Sequence, residues 1–528
     1  MVRNHAPLSS ALNEKLERVL NSVSEIFSLS RSRFSREVFA RQHLPYTAPQ
    51  EHKFSPQCPE TFQCVPIPAV LKNVLEVPHI TDMVFSPTPA QQGHLPNATI
   101  LTDFRDGTIY KNLMNIIGPS EINTIFLLLY ADEVEICNPL GAKRDTHKLF
   151  LVYFSILNIH AAHRSQLKAI HLALVARHEH VTRHGHQKVF MPIVEDLLQL
   201  KNEGLTLQTE RGIIQAKALV LAFCGDNLSM HSIGGFNTSF AKGRICRFCM
   251  AHSDNIKSLT NESKCVLRKD HTHADQLSSI AINEDVRRVY GVSKPSPLLS
   301  LEYFSVCTQL LPDVMHDIFE GTVSHVLRNV LNGLVSDSVL SVADLDRIST
   351  FCYGYYDRKN RPEQVTQSFV CQKGGLKGSA SQKWCLLRLL PLIFFSSIPE
   401  GNHHWEIYLE FREIADMVLA EEVPLAWVPY LQHKIEQFLQ NYMGRYPASG
   451  ITPKMHYLVH YPRIMSQLGP LTQYWCMRFE AKHQYFKRLS SRTMNFRNIC
   501  KTMASRHQLL QGYQLHGLGT SNVSCNGA

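Results

Sequence analysis

Ile125-Phe126-Leu127-Leu128-Leu129-Tyr130-Ala131-Asp132-Glu133 is an unbroken apolar run that ends in two acids. A run this short, without polar alternation, predicts a strand buried on both faces. Ala218 to Phe223 (ALVLAF) has the same character and ends in Cys224-Gly225-Asp226. Between them, His147 to Ile159 (HKLFLVYFSILNI) and Ala169 to Val175 predict two more strands. Lys188 to Lys201, with Ile193, Leu197, Leu198 and Leu200, predicts a helix. The order strand, strand, strand, helix, strand gives an α/β core in which two central strands each end in an aspartate.

The pattern changes on either side. Residues 245–450 carry helical periodicities broken by Pro and Gly, such as Val323 to Leu334 and Trp405 to Ala420, and suggest a long insertion or second domain. Thr452-Pro453 is a helix start, with Thr as N-cap and Pro in the first turn. That helix should stop at Pro462, and another should run from about Tyr474 through Lys487. Toward the N-terminus, residues 8–35 show an amphipathic helical pattern (Leu12, Leu16, Val19, Val23, Ile26, Phe27). Pro45 to Pro66 suggests a loop, and a short helix should begin at Pro68. The resulting division is 1–95, a helical and loop region; 96–244, the first part of the core; 245–450, the insertion; 451–512, two site-bearing helices; and 513–528, a tail.

Composition narrows the function classes. The 528 residues contain 54 Lys+Arg against 45 Asp+Glu, a net charge of +9, and 44% hydrophobic residues. That content supports a core and excludes a low-complexity chain. Met1 to Leu20 lacks the apolar centre of a signal peptide. The longest apolar stretch, Cys385 to Ile398, is interrupted by Arg388 and Pro391, so no membrane partner is expected. Fourteen cysteines without a secretory signal fit reduced thiols, with metal binding as their specific use. From Ala481 to Ala528 there is no acid, but there are Lys482, Lys487, Arg488, Arg492, Arg497, Lys501 and Arg506. Such one-sided charge is either a solvated surface or a face for an anionic partner, with nucleic acid the usual one.

Three constellations could carry chemistry. Cys246-Arg247-Phe248-Cys249 is a C-x-x-C knuckle, and His456 and His460 stand at i, i+4. Together they offer a tetrahedral Cys2His2 set for structural Zn²⁺. His271 and His273 are nearer in sequence, although an extended i, i+2 pair points to opposite faces. Second, Asp132 and Asp226 would lie side by side if their strands are neighbours, and a divalent cation relieves the repulsion. Glu480, in Met477-Arg478-Phe479-Glu480-Ala481-Lys482-His483, adds a third carboxylate, enough for a two-metal site. Each acid taken singly is an ordinary capping or surface residue. Third, Asp313, His316, Asp317 and Glu320 in PDVMHDIFEG share one face of a regular helix. They suggest either a metal-dependent hydrolase or a capped, solvated helix start.

The ordered set LYADEVEICNPLG (129–141), CGDNLSMHSIGGF (224–236), RICRFC (244–249), LPDVMHDIFEG (311–321), KGSASQKWCLLRLLP (377–391), PKMHYLVHYP (453–462) and WCMRFEAKHQYFK (475–487) resembles DDE transposases with a zinc-bearing insertion. It is similar to the CACTA (EnSpm) and Kyakuja–Dileera–Zisupton groups, and its layout resembles the catalytic subunit of the V(D)J recombinase. The resemblance covers roughly residues 100–510. It implies an RNase H-like catalytic core with a large, mostly helical insertion, double-stranded DNA as partner, room for a homo-oligomer, and a nuclear location. It implies Asp132, Asp226 and Glu480 as catalytic ligands of Mg²⁺ or Mn²⁺, and Cys246, Cys249, His456 and His460 as zinc ligands. Lys482, His483, Lys487, Arg488, Arg492 and Arg497 are the expected DNA contacts, with His231 near the scissile phosphate. Asp313 and His316 are accessory candidates that need not reach the acidic trio. No separate DNA-recognition module is read before residue 100. The alternative is therefore an inactive, domesticated DNA-binding or chromatin-associated protein.

Overall fold

The computed structural model describes residues 17, 31–86, 99–118, 123–137, 147–371 and 374–520. Most of the amphipathic pattern at 8–35 and the end of the tail lie outside the described residues. The chain is mixed α/β. Its strands are β1 (Gln50–Lys53), β2 (Thr61–Cys64), β3 (Ile100–Leu101), β4 (Thr124–Glu135), β5 (Lys148–Ile156), β6 (His171–Arg177), β7 (Leu205–Thr209), β8 (Gly212–Cys224) and β9 (Val423–Pro424). Seven of them form one mixed sheet in the order β1-β2-β6-β5-β4-β8-β7, and β3 pairs with β9 apart from it. The β4/β8 pair is parallel and the other named pairs of the large sheet are antiparallel.

The apolar run behaves as its composition requires. Ile125 to Ala131 are all at most 2% exposed, because helices cover both faces. Successive strand residues point to opposite sides. On one side Phe190, from the helix His186–Asn202, packs edge-on against Phe150 and tilted against Phe223. On the other, Phe479 of the helix Met477–Thr493 stacks on Tyr130 at 4.6 Å.

Several local expectations are corrected. Pro45 to Pro66 is not only a loop: it contains the β1–β2 hairpin, whose β2 extends the sheet by pairing with β6. β7 was not anticipated either. Asp132 does not end its strand, because β5 keeps pairing with β4 as far as Glu135↔Lys148. Thr452 caps its helix as expected, accepting from Met455 N–H at 3.3 Å. However, that helix spans only Pro453–Tyr457, a 3₁₀ turn follows at Leu458–His460, and Pro462 lies in the first turn of the next helix, Tyr461–Leu468. The later helix spans Met477–Thr493. Between 245 and 450 the regular structure is mostly helical, including Val323–Ser336, Ala380–Phe394, His403–Val418 and Trp427–Arg445.

Candidate active site and metal centre

β4 and β8 run parallel with Leu129↔Phe223 and Tyr130↔Cys224 in register. Asp132 and Asp226 each stand two residues beyond the last of these pairs, so the strands deliver both carboxylates to one end of the sheet. Asp132 is 17% exposed. Its Oδ2 accepts from Tyr130 O–H at 3.0 Å and its Oδ1 from Glu133 N–H at 2.7 Å. Burial first, and then the charges of Asp226 and Glu480, push its pKa up to about 7. Asp226 is the N-cap of the helix Asn227–Gly234, its Oδ1 accepting from Ser229 N–H at 2.6 Å. The second oxygen, Oδ2, takes no hydrogen bond among the described residues.

Glu480 reaches the group from the first turn of Met477–Thr493. It meets a partner that sequence reasoning left outside. His316 Nε2 lies 3.2 Å from Glu480 Oε1, and His316 Nδ1 lies 2.6 Å from Asp313 Oδ2. Asp313 Oδ1 in turn accepts from Cys476 N–H at 2.8 Å, one helical turn before Glu480. Asp313 and His316 therefore do reach the acidic trio. Although burial opposes the charge, Asp313 and Glu480 hold the imidazole pKa well above its ordinary value. Asp313, His316 and Glu320 stay on one face, with His316 Nε2 3.9 Å from Glu320 Oε2, but Asp317 leaves it, within the π-helical turn Met315–Thr322. Asp317 faces inward, where Asn227 Nδ2 donates at 2.6 Å and Tyr461 O–H at 3.1 Å.

The metal centre joins distant parts of the chain. One ligand atom from each of Cys246, Cys249, His456 and His460 lies within 4.8 Å of the others, and all four residues are buried. Cys246 Sγ is 3.5 Å from His460 Nε2 and Cys249 Sγ is 3.3 Å from His456 Nε2. These separations suit a tetrahedral ion with Zn–S about 2.3 Å and Zn–N about 2.0–2.1 Å. His460 turns its other nitrogen, Nδ1, to Glu262 Oε1 at 2.6 Å, and Arg463 Nε holds the same oxygen at 2.9 Å. A carboxylate behind a ligating imidazole fixes its orientation and tautomer, and no spacing or motif pointed to Glu262. The set could hold a metal such as zinc. His271 and His273 are not part of it.

Arg247, inside the knuckle, is fully buried. It donates through Nε to Leu310 O at 3.1 Å and through Nη1 to Asn227 Oδ1 at 2.7 Å. It thereby ties the knuckle to the helix that Asp226 caps.

The expected DNA contacts divide. Lys487, Arg488, Arg492 and Arg497 are exposed, and among the described residues none has an ion-pair partner. Lys482 is 6% exposed and donates to Leu167 O at 2.8 Å, so it anchors its helix and does not face solvent. Burial lowers its pKa to about 8. His483 is 5% exposed, with Nδ1 3.8 Å from Asp132 Oδ2. Burial, then Lys487, lowers its pKa to about 3, leaving a neutral ring. His231 is buried too: Nδ1 donates to Asn237 O at 2.6 Å and Nε2 lies 3.0 Å from Tyr457 O–H. It braces the metal-centre helix through Tyr457. No protein-family model matches the sequence, and no curated protein matches it either.

Proposed function

We propose that this chain is a DDE-type DNA transposase or a protein derived from one, with an RNase H-like core and a large, mostly helical insertion. Asp132, Asp226 and Glu480 would hold Mg²⁺ or Mn²⁺, and Cys246, Cys249, His456 and His460 a structural Zn²⁺. The observation that carries the reading is the parallel register that sets Asp132 beside Asp226, with Glu480 close enough to raise the Asp132 pKa. A carboxyl raised first by burial and then by neighbouring acids fits a place for a divalent cation. Ions bound there would supply Lewis-acid activation for in-line displacement at phosphorus.

The chain's own part is positioning. Tyr130 O–H and Glu133 N–H orient Asp132, Ser229 N–H fixes one oxygen of Asp226, and His316 holds Glu480. Lys487, Arg488, Arg492 and Arg497 form the exposed basic strip that would meet double-stranded DNA, which supports a nuclear location.

A second reading is a catalytically inactive DNA-binding or chromatin-associated protein. The Glu480–His316 ion pair and the capping role of Asp226 favour it, because both satisfy acids without a metal. The deciding experiment is Mn²⁺-dependent cleavage of DNA carrying the repeats that flank this chain's genomic copy. The enzyme reading expects nicking by the wild type and none by Asp226→Asn. DNA binding without cleavage by the wild type supports the second reading.

A further inference from the structure

A second donor cluster lies at the far edge of the sheet. The turn of the β1–β2 hairpin presents Cys58 and Glu60, and the helix His178–His184 presents His180 and His184 at i, i+4 on one face. One ligand atom from each of Cys58, Glu60 and His184 lies within 4.8 Å of the others. Cys58 Sγ is 3.7 Å from His184 Nε2, and Glu60 Oε2 is 2.5 Å from the same nitrogen. Glu60 Oε1 is 3.7 Å from His180 Nε2. Phe54 stacks on the His184 ring at 4.6 Å and meets His180 edge-on at 6.0 Å, which holds both imidazoles. His180 Nδ1 is buried without a hydrogen-bond partner among the described residues.

We propose that Cys58, Glu60 and His184, with His180 moving in as the fourth donor from beside Glu60, form a second transition-metal site, suited to Zn²⁺ and independent of the function proposed above. Donors around a tetrahedral zinc stand about 3.3–3.8 Å apart, given its bond lengths of about 2.0–2.3 Å. The Cys58–His184 and Glu60–His180 separations already meet that spacing. The short Glu60–His184 contact needs to open by about 1 Å to meet it. One thiolate and one carboxylate neutralise a divalent ion, and the thiol proton leaves to solvent on binding. Arg183 also contacts Glu60, but it is 60% exposed and can move its charge to water. Without metal, the same residues make an ion-pair latch between hairpin and helix.

The two sites differ in access. His460 is fully buried, whereas the His180, Glu60 and His184 side chains are 15%, 19% and 26% exposed. Purified full chain in metal-free buffer should therefore carry two zinc ions by mass spectrometry. The chelator 4-(2-pyridylazo)resorcinol should remove one quickly and the other slowly. Cys58→Ser with His184→Ala should keep one ion and lose only the fast phase. A wild-type zinc content and fast release phase that the folded double variant leaves unchanged overturn the proposal, however many ions the wild type carries. If the double variant does not fold, His180→Ala decides: zinc release in the fast phase should accelerate at least about tenfold, and an unchanged rate overturns the proposal.

Discussion

Replacing Asp132 with Asn removes one charge from the acidic trio and keeps the side chain's shape. The Asp132 carboxyl rises from 3.8 to about 7 in the fold. Because the folded value lies above the unfolded one, the folded protein holds this proton more tightly. The stability that this contributes is complete below about pH 4 and is lost as pH climbs to about 7. At about 1.36 kcal/mol per pH unit, the loss amounts to about 4 kcal/mol. The side chain is 17% exposed, and solvent screening lowers the expected figure to about 2–4 kcal/mol. In Mg²⁺-free urea unfolding near pH 8, Asp132→Asn should therefore be more stable than wild type by that amount. Near about pH 3.5, where Asp132 is protonated in the folded and largely in the unfolded wild type, the two should nearly coincide. Added Mg²⁺ should stabilise wild type by about 2.7 kcal/mol at a hundredfold excess over its Kd, and Asp132→Asn much less. If the variant is equally or less stable near pH 8, neither burial nor the neighbouring acids hold the Asp132 proton in the fold, and the metal-site reasoning fails. If Mg²⁺ stabilises both proteins equally, it binds elsewhere.

Cys246→Ser with Cys249→Ser should abolish zinc binding at that centre and cooperative unfolding, since structural zinc supplies about 10–16 kcal/mol in zinc-finger peptides; metal analysis and a thermal melt check this. Lys487→Gln, Arg488→Gln and Arg492→Gln together should flatten the salt dependence of DNA affinity by up to about three units of the log–log slope. Lys482→Gln should leave that slope unchanged and lower the melting temperature, because Lys482 Nζ bonds Leu167 O inside the fold. His316→Ala should reduce cleavage through a displaced Glu480 without weakening DNA binding, as filter binding and cleavage run in parallel would show.

What the sequence made legible follows the range of each signal. The buried strands were readable because β4, β5, β6 and β8 are apolar on both faces, a property carried by neighbouring residues. β1, β2 and β7 were not. Their edge or half-exposed residues, such as Gln50, Glu51, Thr206 and Gln208, show no apolar run, and they gain strand character from partners supplied by the rest of the sheet. The charge of the tail was legible, but its division was not. Lys482 and Lys487 look alike in sequence, and only helix packing turns the first inward. Cys246 and Cys249 with His456 and His460 were readable as two short spacings, although nothing local joined them or pointed to Glu262.

The Asp313–His316–Glu480 connection marks where periodicity stops helping. In a regular α-helix Asp313, His316, Asp317 and Glu320 fall on one stripe, which suggests a single self-contained site. The π-helical turn at Met315–Thr322 adds a residue to each hydrogen-bonded ring and turns Asp317 off that stripe, while Asp313, His316 and Glu320 stay together. His316 is left between Asp313 and Glu480, while Asp317 turns to Asn227 and Tyr461. Arg247 then donates to the same Asn227 from inside the C-x-x-C knuckle. One irregular turn thus links the third acid to Asp313 and, through Asp317 and Asn227, places the metal centre behind the helix that Asp226 caps. Straightening that turn would move His316 off Glu480 and Asp317 off Asn227 together. The turn's geometry therefore bears on both the acidic trio and the metal centre, although none of its residues belongs to either set.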